Sequence, residues 1–248
     1  MAKSNLRLRG ARNNPFFLKE GSTGRAVAKL QSKLKKVGFN PGRIDGDFGL
    51  AANDNLPSVI PGLTVTMVSK IFPVTPVDNL RDNLPFVLQG LVERALGDKT
   101  IVLMALATIR AESESFQPIS EGLSKFNTSP GGHPYDLYDF RADLGNQGNG
   151  DGAKYCGRGY IQLTGRFNFQ KYGTALGMGN KLTNEPELAN DPSIAGKLLA
   201  AFLKDKERVI KEALIIDDLR MARRLVNGGS HGLDRFIDAF RLGDALIA

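Results

Sequence analysis

The chain has 248 residues, a formal net charge of +7 at pH 7 and one cysteine. This length allows one large domain, or a small domain followed by a medium one, with a proper hydrophobic core. The lone Cys156 excludes an internal disulfide and fits folding in a reducing cytoplasm. No stretch approaches the ~20 apolar residues of a membrane span, and no apolar run follows the basic N-terminus. The sequence therefore predicts neither a membrane anchor nor an export signal.

The excess positive charge lies in the first quarter of the chain. Residues 1–60 contain eleven Lys and Arg against four Asp and Glu, whereas residues 61–248 contain 22 of each class. Such asymmetry is typical of a segment that contacts a polyanion, such as nucleic acid, an anionic membrane surface or an acidic polymer of the bacterial envelope. A well-solvated small domain without a charge-specific partner is the alternative.

A short amphipathic helix is predicted near the N-terminus. Ser22 or Thr23 is available as its N-cap, and Gly38 ends it. A loop rich in turn dipeptides follows over residues 41–49, around Ile44. The apolar residues that recur at helical spacing are Val27, Leu30, Leu34 and Val37.

Residues 18–49 resemble the small helical peptidoglycan-binding module of many cell-wall hydrolases. The resemblance is carried by a Gly-Ser-Thr-Gly turn, a Leu-Gln-x-x-Leu helix, a Gly-Phe pair and an Ile-Asp-Gly-Asp-Phe-Gly loop. The family's third helix has no match after residue 49, so we expect a shortened module over residues 1–55. Residues 56–63 are predicted to be a linker, because the stretch from about Leu50 to Gly62 is rich in Asn, Pro and Gly. Residues 64–248 would then form the catalytic domain.

Most of this second domain is predicted to be helical, from apolar spacing and from the positions of Pro and Gly. Asn227 and the two glycines after it are expected to end the penultimate helix. The predicted helices cover residues 64–71, 76–84, 86–96, 101–111, 192–211, 218–226 and 232–247.

The helix over residues 101–111 is apolar on all sides, which is typical of a buried helix. Asp98 is its predicted N-cap, and Phe116 and Pro118 mark its end, so Glu112 falls in the last turn. Desolvation and the negative end of the helix dipole both disfavour a charged carboxyl at that place. A carboxyl that keeps its proton is suited to act as a general acid.

A second carboxyl follows nine residues later. Glu121 lies beyond Pro118 in a polar stretch, so we expect it to stay ionised and to act as a base on a water molecule. One acid on a helix and one carboxylate on a loop make the pair that glycoside hydrolases use. Glu114, four residues after Arg110, is interpreted as a member of an ordinary surface ion pair.

The stretch from residue 122 to 154 is predicted to be a long loop, with an acidic turn over residues 135–139. A loop of this length in a compact domain is more often functional than idle. In the segment that follows, Tyr160, Gln162 and Thr164 alternate with Ile161 and Leu163, which predicts an extended segment with one polar face. That face would bind sugar hydroxyls and N-acetyl groups or position a water; an edge strand without such a role is the alternative.

From about Leu63 onward the chain is similar to the plant-type chitinases of glycoside hydrolase family nineteen. It is most similar to the branch of that family that serves as phage endolysins and bacterial wall lysozymes. The resemblance implies a mainly α, lysozyme-like (chitinase-like) α+β fold. It also implies inversion at the anomeric carbon, with the two carboxyls ~6.5–9.5 Å apart. The matching stretches are residues 109–116, 126–132, 157–165 with Asn168, and 226–229.

Carried over by position, the resemblance makes Glu112 the general acid and Glu121 the second carboxylate. The short interval between them is that of the lysozyme-like branch, since chitinases proper place the second carboxylate further on. Thr164 stands where chitinases commonly have a serine and would hold the attacking water. Cys156 departs from the pattern, which has a basic residue there. The cleft-lining positions, expected to bind substrate, are Gln162, Asn168 and Asn227.

The predicted function is that of an endolysin that cleaves peptidoglycan between N-acetylmuramic acid and N-acetylglucosamine. A chitinase is the alternative. No cofactor, metal, nucleic-acid partner or stable membrane insertion is predicted, and the chain is expected to be a monomer. We expect it in the host bacterial cytoplasm, from which holin-dependent release would bring it to the periplasmic cell wall.

Two other classes of wall enzyme are alternatives. A zinc amidase needs ligands that a chain with only His133 and His231, and no His-Glu-x-x-His motif, does not offer in the usual form. Cys156 with His231 would suit a thiol dyad of a peptidoglycan amidase, although a lone cysteine is more often a packed thiol. A wall-binding protein without activity would be expected to lack the two carboxylates.

Overall fold

A computed structural model describes residues 63–229 and 231–247, together with Ile60 and eight positions nearer the N-terminus: 22, 23, 25, 28, 29, 32, 47 and 48. The chain divides into two compact units, Met1–Asp54 and Asn55–Ala248. The predicted linker over residues 56–63 lies outside the described residues except for Ile60 and Leu63. Both of these side chains are buried, and Leu63 N donates to Ile60 O at 3.1 Å.

The first unit contains a short antiparallel pair of strands. Ser22–Thr23 pairs with Asp47–Phe48, with Ser22 opposite Phe48. Ser22 and Thr23, the two candidates for the predicted N-cap, thus lie in a strand. Helical residues follow it at positions 25, 28, 29 and 32, where a helix was expected. The rest of the resemblance to a peptidoglycan-binding module lies outside the described residues.

The second unit is built mainly from helices, as predicted. A short ladder joins Ile119–Ser120 to Arg158–Gly159 in antiparallel register, with Ile119 opposite Gly159. Among its described residues, short 3-10 helices occupy Asp136–Tyr138, Ala142–Leu144 and Pro186–Asn190. The α-helices are Val65–Ile71, Val77–Glu93, Lys99–Glu112, Asp151–Lys154, Arg166–Ala175, Lys181–Asn184, Pro192–Asp205, Glu207–Ile215, Leu219–Asn227 and Leu233–Leu246.

Lys99–Glu112 is the central helix, and its prediction is confirmed. Every residue from 101 to 111 is buried. The N-cap is Asp98, whose carboxylate accepts a hydrogen bond from Ile101 N at 3.1 Å. Leu233–Leu246 lies along this helix, and a Cβ placed on Gly243 would come within 2.4 Å of Leu103 Cδ2. The central helix is therefore enclosed by other elements, which fixes the position of its last residue, Glu112.

Val77–Glu93 and Pro192–Asp205 approach each other closely because a glycine stands on each helix at the crossing. A Cβ on Gly90 would lie 2.4 Å from Gly196 O, and a Cβ on Gly196 would lie 2.3 Å from Phe86 O. Any larger residue would force the backbones apart.

Several predicted boundaries are corrected by the structure. The two helices expected over residues 76–84 and 86–96 are one helix, Val77–Glu93, which continues through Pro85 because its buried face, including Leu84 and Val87, is continuous across the proline. The helix expected over residues 192–211 is broken at Lys206 into two. Arg166–Ala175 was not predicted to be helical. Propensity and spacing place such boundaries poorly because tertiary contacts decide them.

The segment expected to be extended over residues 160–164 is instead a tight reversal. Arg158 pairs with Leu163, and Gln162 has a positive φ of 50°. The chain turns between these two residues, so Tyr160 and Leu163 both point into the core. Two-residue alternation therefore did not describe this segment. Separately, none of the helices in the described part of the chain is long and apolar enough to cross a membrane.

Candidate active site

Glu112 is the last residue of the central helix, where the sequence placed it. Its side chain is 11% exposed and forms an ion pair with Arg223, with Arg223 Nη2 2.9 Å from Glu112 Oε1. A half-charge at the helix C-terminus would by itself repel a carboxylate. The Arg223 guanidinium supplies the opposite charge at the same point and offsets this repulsion. The expectation that the surroundings of Glu112 only disfavour a charged carboxyl is therefore corrected.

Arg223 is fully buried on Leu219–Asn227. Besides Glu112, it binds the backbone of the next loop, because Nε and Nη2 donate to His231 O at 3.0 and 2.8 Å. Its Nη1 has no hydrogen-bond partner among the described residues. Sequence reasoning missed this residue, although a signal was present. Arg223 falls on the buried stripe of its helix, whose members are Leu219, Ala222, Arg223 and Val226.

The turn after Glu112 is held in an unusual backbone conformation. Glu114 and Phe116 both have positive φ, 49° and 54°. Phe116 is fully buried against Phe72, with ring centroids 4.9 Å apart in an edge-on arrangement. Thr75 Oγ1 donates to Glu114 O, and Asn79 Nδ2 donates to Ser115 O at 2.9 Å. These contacts direct the chain into the strand Ile119–Ser120. Glu121 follows this strand directly and so lies beside the partner strand, Arg158–Gly159.

Glu114 pairs with Arg110 as expected, but the pair is not on the surface, because the Arg110 side chain is buried. Its carboxylate lies 3.9 Å from Arg110 Nε and 3.5 Å from Arg235 Nη1. Both of its partners belong to helices, so Glu114 links the end of the central helix to Leu233–Leu246. We assign it a structural role.

Glu121 accepts hydrogen bonds from three neutral donors. Gly157 N lies 2.5 Å from Oε1, while Tyr138 OH and Asn127 Nδ2 lie 3.2 and 3.3 Å from Oε2. Its backbone is also fixed, since Glu121 N donates to Gly157 O at 2.8 Å. An ionised carboxylate only accepts hydrogen bonds, so this set of donors matches that form. All three donors are uncharged, so hydrogen bonds from neutral groups orient the Glu121 side chain.

Two tyrosines of the loop over residues 122–154 enclose Glu121. Tyr138 OH contacts the carboxylate, and Tyr135 OH donates to the backbone oxygen of Glu121 at 2.6 Å. Burial, and then the charge of Glu121, raise the pKa of Tyr138 to about 12. The Tyr138 hydroxyl therefore remains a donor throughout the neutral range. The sequence marked this acidic turn as notable but did not identify the tyrosines as partners of Glu121.

Carboxylates hold the rest of this loop in place. Asp139 accepts from Gly152 N at 2.7 Å, and His133 Nε2 lies 3.0 Å from the same carboxylate. Asp151 receives a bidentate pair from Arg166. Burial would raise the pKa of Asp151, but the hydrogen bonds from Arg166 and from Gln147 N outweigh it, so that the pKa is lowered. Hydrogen bonds and ion pairs thus hold the loop over residues 122–154 in a defined conformation.

Gln162 and Thr164 converge with Glu121 around one glycine. A Cβ on Gly157 would lie 3.0 Å from Gln162 Oε1, 3.2 Å from Glu121 Oε1 and 3.2 Å from Thr164 Oγ1. Gln162 Nε2 is fixed by the carbonyl oxygens of Ile119 and Gly159, both at 3.0 Å. Three polar groups predicted from the sequence are therefore within a few ångströms of one point.

The hydroxyl of Thr164 has a defined direction. Thr164 Oγ1 donates to Gln162 O at 2.8 Å, so its proton is used and its lone pairs are available to accept. Asn168 lies next to it, because Asn168 Nδ2 donates to Thr164 O at 2.8 Å. The roles of Thr164 in holding water and of Gln162 and Asn168 in binding sugar stay predictions.

Two other predicted site residues have structural contacts. Asn227 Oδ1 accepts from Gly229 N at 2.8 Å at the end of its helix, which stops there as expected. Tyr160 has no exposed surface, and its hydroxyl lies 3.0 Å from Asn83 Oδ1. Burial raises the pKa of Tyr160 above its usual range. Tyr160 is a core residue in this structure, and we omit it from the proposed sugar-binding set.

Cys156 is buried next to Tyr135 and Glu121. Burial raises the pKa of its thiol, which disfavours the thiolate that a nucleophile needs. Among the contacts of the described residues, none joins Cys156 to His231. Nor do the described residues contain a group of three His, Cys, Asp or Glu that could hold a metal ion.

Two open concavities lie in this unit, and neither is lined by Glu112 or Glu121. One of about 410 Å³ is lined by Arg220, Gly232, Leu233, Asp234 and Arg235. The other, of about 460 Å³, lies beside Ile119. It is lined by Asp82, Asn83, Phe86, Gln117, Pro118, Ile119, Asn190 and Pro192.

No protein-family model matches the chain. A glycosyl hydrolase family 19 domain-containing protein of Haemophilus influenzae is 30% identical over 106 residues, which are 42% of this chain and 48% of that protein. An acidic 26 kDa endochitinase of Solanum lycopersicum is 47% identical over 50 residues, which are 20% of each. The matched segments span about half the length of the first relative and a fifth of the second.

The fold is shared with a solved chitinase. The crystal structure of a chitinase C mutant gives a TM-score of 0.50 at 18% identity and covers 81% of this chain and 78% of that one. The predicted mainly helical, lysozyme-like fold is thereby confirmed. The likeness to chitinase C is one of fold, and the names of the two partial relatives are those of a family 19 glycosyl hydrolase domain and of an endochitinase.

Proposed function

We propose that this chain is a glycoside hydrolase that cleaves β-1,4 bonds in bacterial peptidoglycan, between N-acetylmuramic acid and N-acetylglucosamine. Glu112 is the general acid and Glu121 is the base. In this proposal the chain is an endolysin that acts on the periplasmic wall after release from the host cytoplasm. Its holin-dependent release and its monomeric state are further parts of the same proposal.

The convergence of Glu121, Gln162 and Thr164 around Gly157 is the observation that carries the proposal. A water bound beside Gly157, between Glu121 and Thr164, would donate one proton towards Glu121 and the other towards Thr164 Oγ1, whose own proton is bonded to Gln162 O. The lone pairs of its oxygen are then free to attack. This is the arrangement that an inverting hydrolysis requires of its base.

Glu112 completes the reaction as the acid. The water oxygen bonds to the anomeric carbon while the bond from that carbon to the leaving oxygen breaks. The leaving oxygen takes the proton of Glu112, and Glu121 takes a proton from the water. Negative charge develops on Glu112 as its proton departs, and the buried Arg223 guanidinium lies 2.9 Å away to stabilise it.

Two observations support peptidoglycan as the substrate. The first unit resembles a wall-binding module in sequence, and the interval from Glu112 to Glu121 is that of the lysozyme-like branch. Chitin is the second candidate, which the names of the tomato endochitinase and of chitinase C favour. A Cys156 amidase is disfavoured by the raised pKa of the thiol.

The test is digestion of purified Gram-negative peptidoglycan and, in parallel, of chitin. New reducing ends and new free amino groups would be measured, with mass spectrometry of the fragments. We expect reducing ends on N-acetylmuramic acid and little release from chitin. Free amino groups without reducing ends would overturn the proposal in favour of an amidase or peptidase. Faster release from chitin would make the chain a chitinase.

A further inference from the structure

The concavity of about 410 Å³ lies against the backbone next to Glu112. It is lined by Arg220, Gly232, Leu233, Asp234 and Arg235. A Cβ on Gly232 would come within 2.7 Å of Ala111 O, in the residue that precedes Glu112. Arg235 Nη1 lies 3.5 Å from Glu114 Oε2, just beyond Glu112. The wall of the concavity thus touches residues on both sides of the proposed acid.

The same helix that supplies the partner of Glu112 also supplies one wall. Arg220 lies one turn before Arg223 on Leu219–Asn227. Arg223 is directed to Glu112, whereas Arg220 is exposed at the concavity. If a glycan strand binds with its scissile bond at Glu112, a neighbouring sugar unit of that strand would therefore lie close to Arg220.

The charge of the concavity is positive. Two guanidinium groups, of Arg220 and Arg235, face one carboxylate, of Asp234. Within the part of the chain that the structure describes, Arg220 has no ion-pair partner, and Arg235 has only the long contact to Glu114. Guanidinium groups pair well with carboxylates. Peptidoglycan carries peptides with free carboxylates, whereas chitin is uncharged.

We propose that Arg220 and Arg235 bind a carboxylate of the peptide attached to the glycan strand, and that this contact makes the enzyme prefer peptidoglycan to a neutral polymer. The inference rests on the proposed function and extends it from the reacting bond to the substituent beside it. Asp234 opposes the bound charge and limits the affinity, so the contact selects substrate rather than anchoring it.

The experiment compares native peptidoglycan with the same material whose carboxyl groups have been amidated with carbodiimide and ammonia. Wild type, Arg220→Gln and a control, Arg208→Gln, are assayed for new reducing ends. Arg208 is an exposed arginine on another helix, paired with Glu212, so the control removes the same charge elsewhere. Thermal unfolding of each variant checks that the fold is intact.

We expect wild type and Arg208→Gln to show a KM about tenfold lower on native than on amidated material, with kcat little changed. Arg220→Gln is expected to lose this preference by a rise of KM on native material alone. An equal KM of wild type on the two materials would overturn the inference, and so would a preference retained by Arg220→Gln. Absence of cleavage on either material by wild type would instead refute the proposed function itself.

Discussion

Glu112 and Glu121 stand nine residues apart in the chain, and the structure holds them by different means. Glu112 is fixed at the end of a buried helix and faces one buried cation, Arg223. Glu121 is fixed on a loop by three neutral donors, from Gly157, Tyr138 and Asn127. A cation stabilises charge that appears on the acid, whereas neutral donors orient a base without cancelling its charge. The difference in partners matches the difference in the proposed roles.

The largest effect on kcat should come from substitution of the proposed acid, Glu112. Glu112→Gln removes the transferable proton but keeps an oxygen that accepts from Arg223, so the fold should persist. We expect kcat for release of reducing ends to fall about 10³-fold, within the range of general acid catalysis. Glu93→Gln, which changes the last residue of a different helix, is the control and should retain wild-type rates. Activity of Glu112→Gln close to that of the control would remove Glu112 from the mechanism.

The second largest effect on kcat should come from substitution of the buried Arg223. Arg223→Met leaves Glu112 without its counter-charge and His231 O without its donors, and loss of one partner of a buried pair costs about 3–5 kcal/mol of stability. We expect a lower Tm and a kcat about 10²-fold lower. Arg223→Lys separates the two effects. If the ion pair matters for catalysis, the lysine should restore part of kcat; a recovered Tm without any recovery of kcat would contradict that role.

Much of this arrangement follows from the sequence, and the reasons for the exceptions are physical. The central helix and Glu112 at its end were predictable because a run of apolar residues with a capping Asp98 has few other solutions. The fold of residues 160–164 was not predictable, because the reversal that pairs Arg158 with Leu163 requires a positive φ at Gln162, which its residue type does not indicate. Tyr160 was assigned to the wrong side of that segment for the same reason.

The partners of the two carboxylates were the least predictable part. Arg223 is 111 residues from Glu112 in the chain, and only its place on a buried stripe distinguishes it from Arg224 beside it. Tyr138 and Asn127 reach Glu121 through a loop that has no periodic pattern. Spacing rules describe neighbours within an element, whereas these contacts join separate elements.

On the base side, the geometry can be disturbed without removing any functional group. Gly157→Ala would place a methyl group 3.0–3.2 Å from Gln162, Glu121 and Thr164, so that each must shift by a few tenths of an ångström. We expect about a tenfold loss of kcat with a nearly unchanged Tm, because catalysis is more sensitive to small displacements than stability is. Gly148→Ala, which has open space around it, is the control. Equal rates for the two variants would show that Gly157 does not define the site.

The smallest effect should come from Tyr138. Tyr138→Phe removes one of three donors to Glu121, worth about 1 kcal/mol, so kcat should fall about fivefold. The pKa of Tyr138 is raised from 10.0 to about 12 by burial and by the Glu121 charge. The raised pKa contributes stability that is complete below pH 10 and is lost as the pH rises towards about 12.

The measurement is thermal unfolding of wild type and Tyr138→Phe between pH 8 and 12.5, a range chosen to span both pKa values. The difference in stability between the two proteins should shrink above pH 10. A constant difference across this range would mean that Tyr138 is not held as a buried donor to Glu121.

The division of labour between Glu112 and Glu121 is tested most directly with a leaving group that needs no proton. Rates would be compared on an ordinary peptidoglycan saccharide and on its dinitrophenyl β-glycoside, for Glu112→Gln and Glu121→Gln. Dinitrophenolate departs without an acid, so Glu112→Gln should recover most of its lost rate on the second substrate. Glu121→Gln should stay impaired on both, because the water still needs its base. Recovery by Glu121→Gln, or none by Glu112→Gln, would contradict the assignment of acid and base.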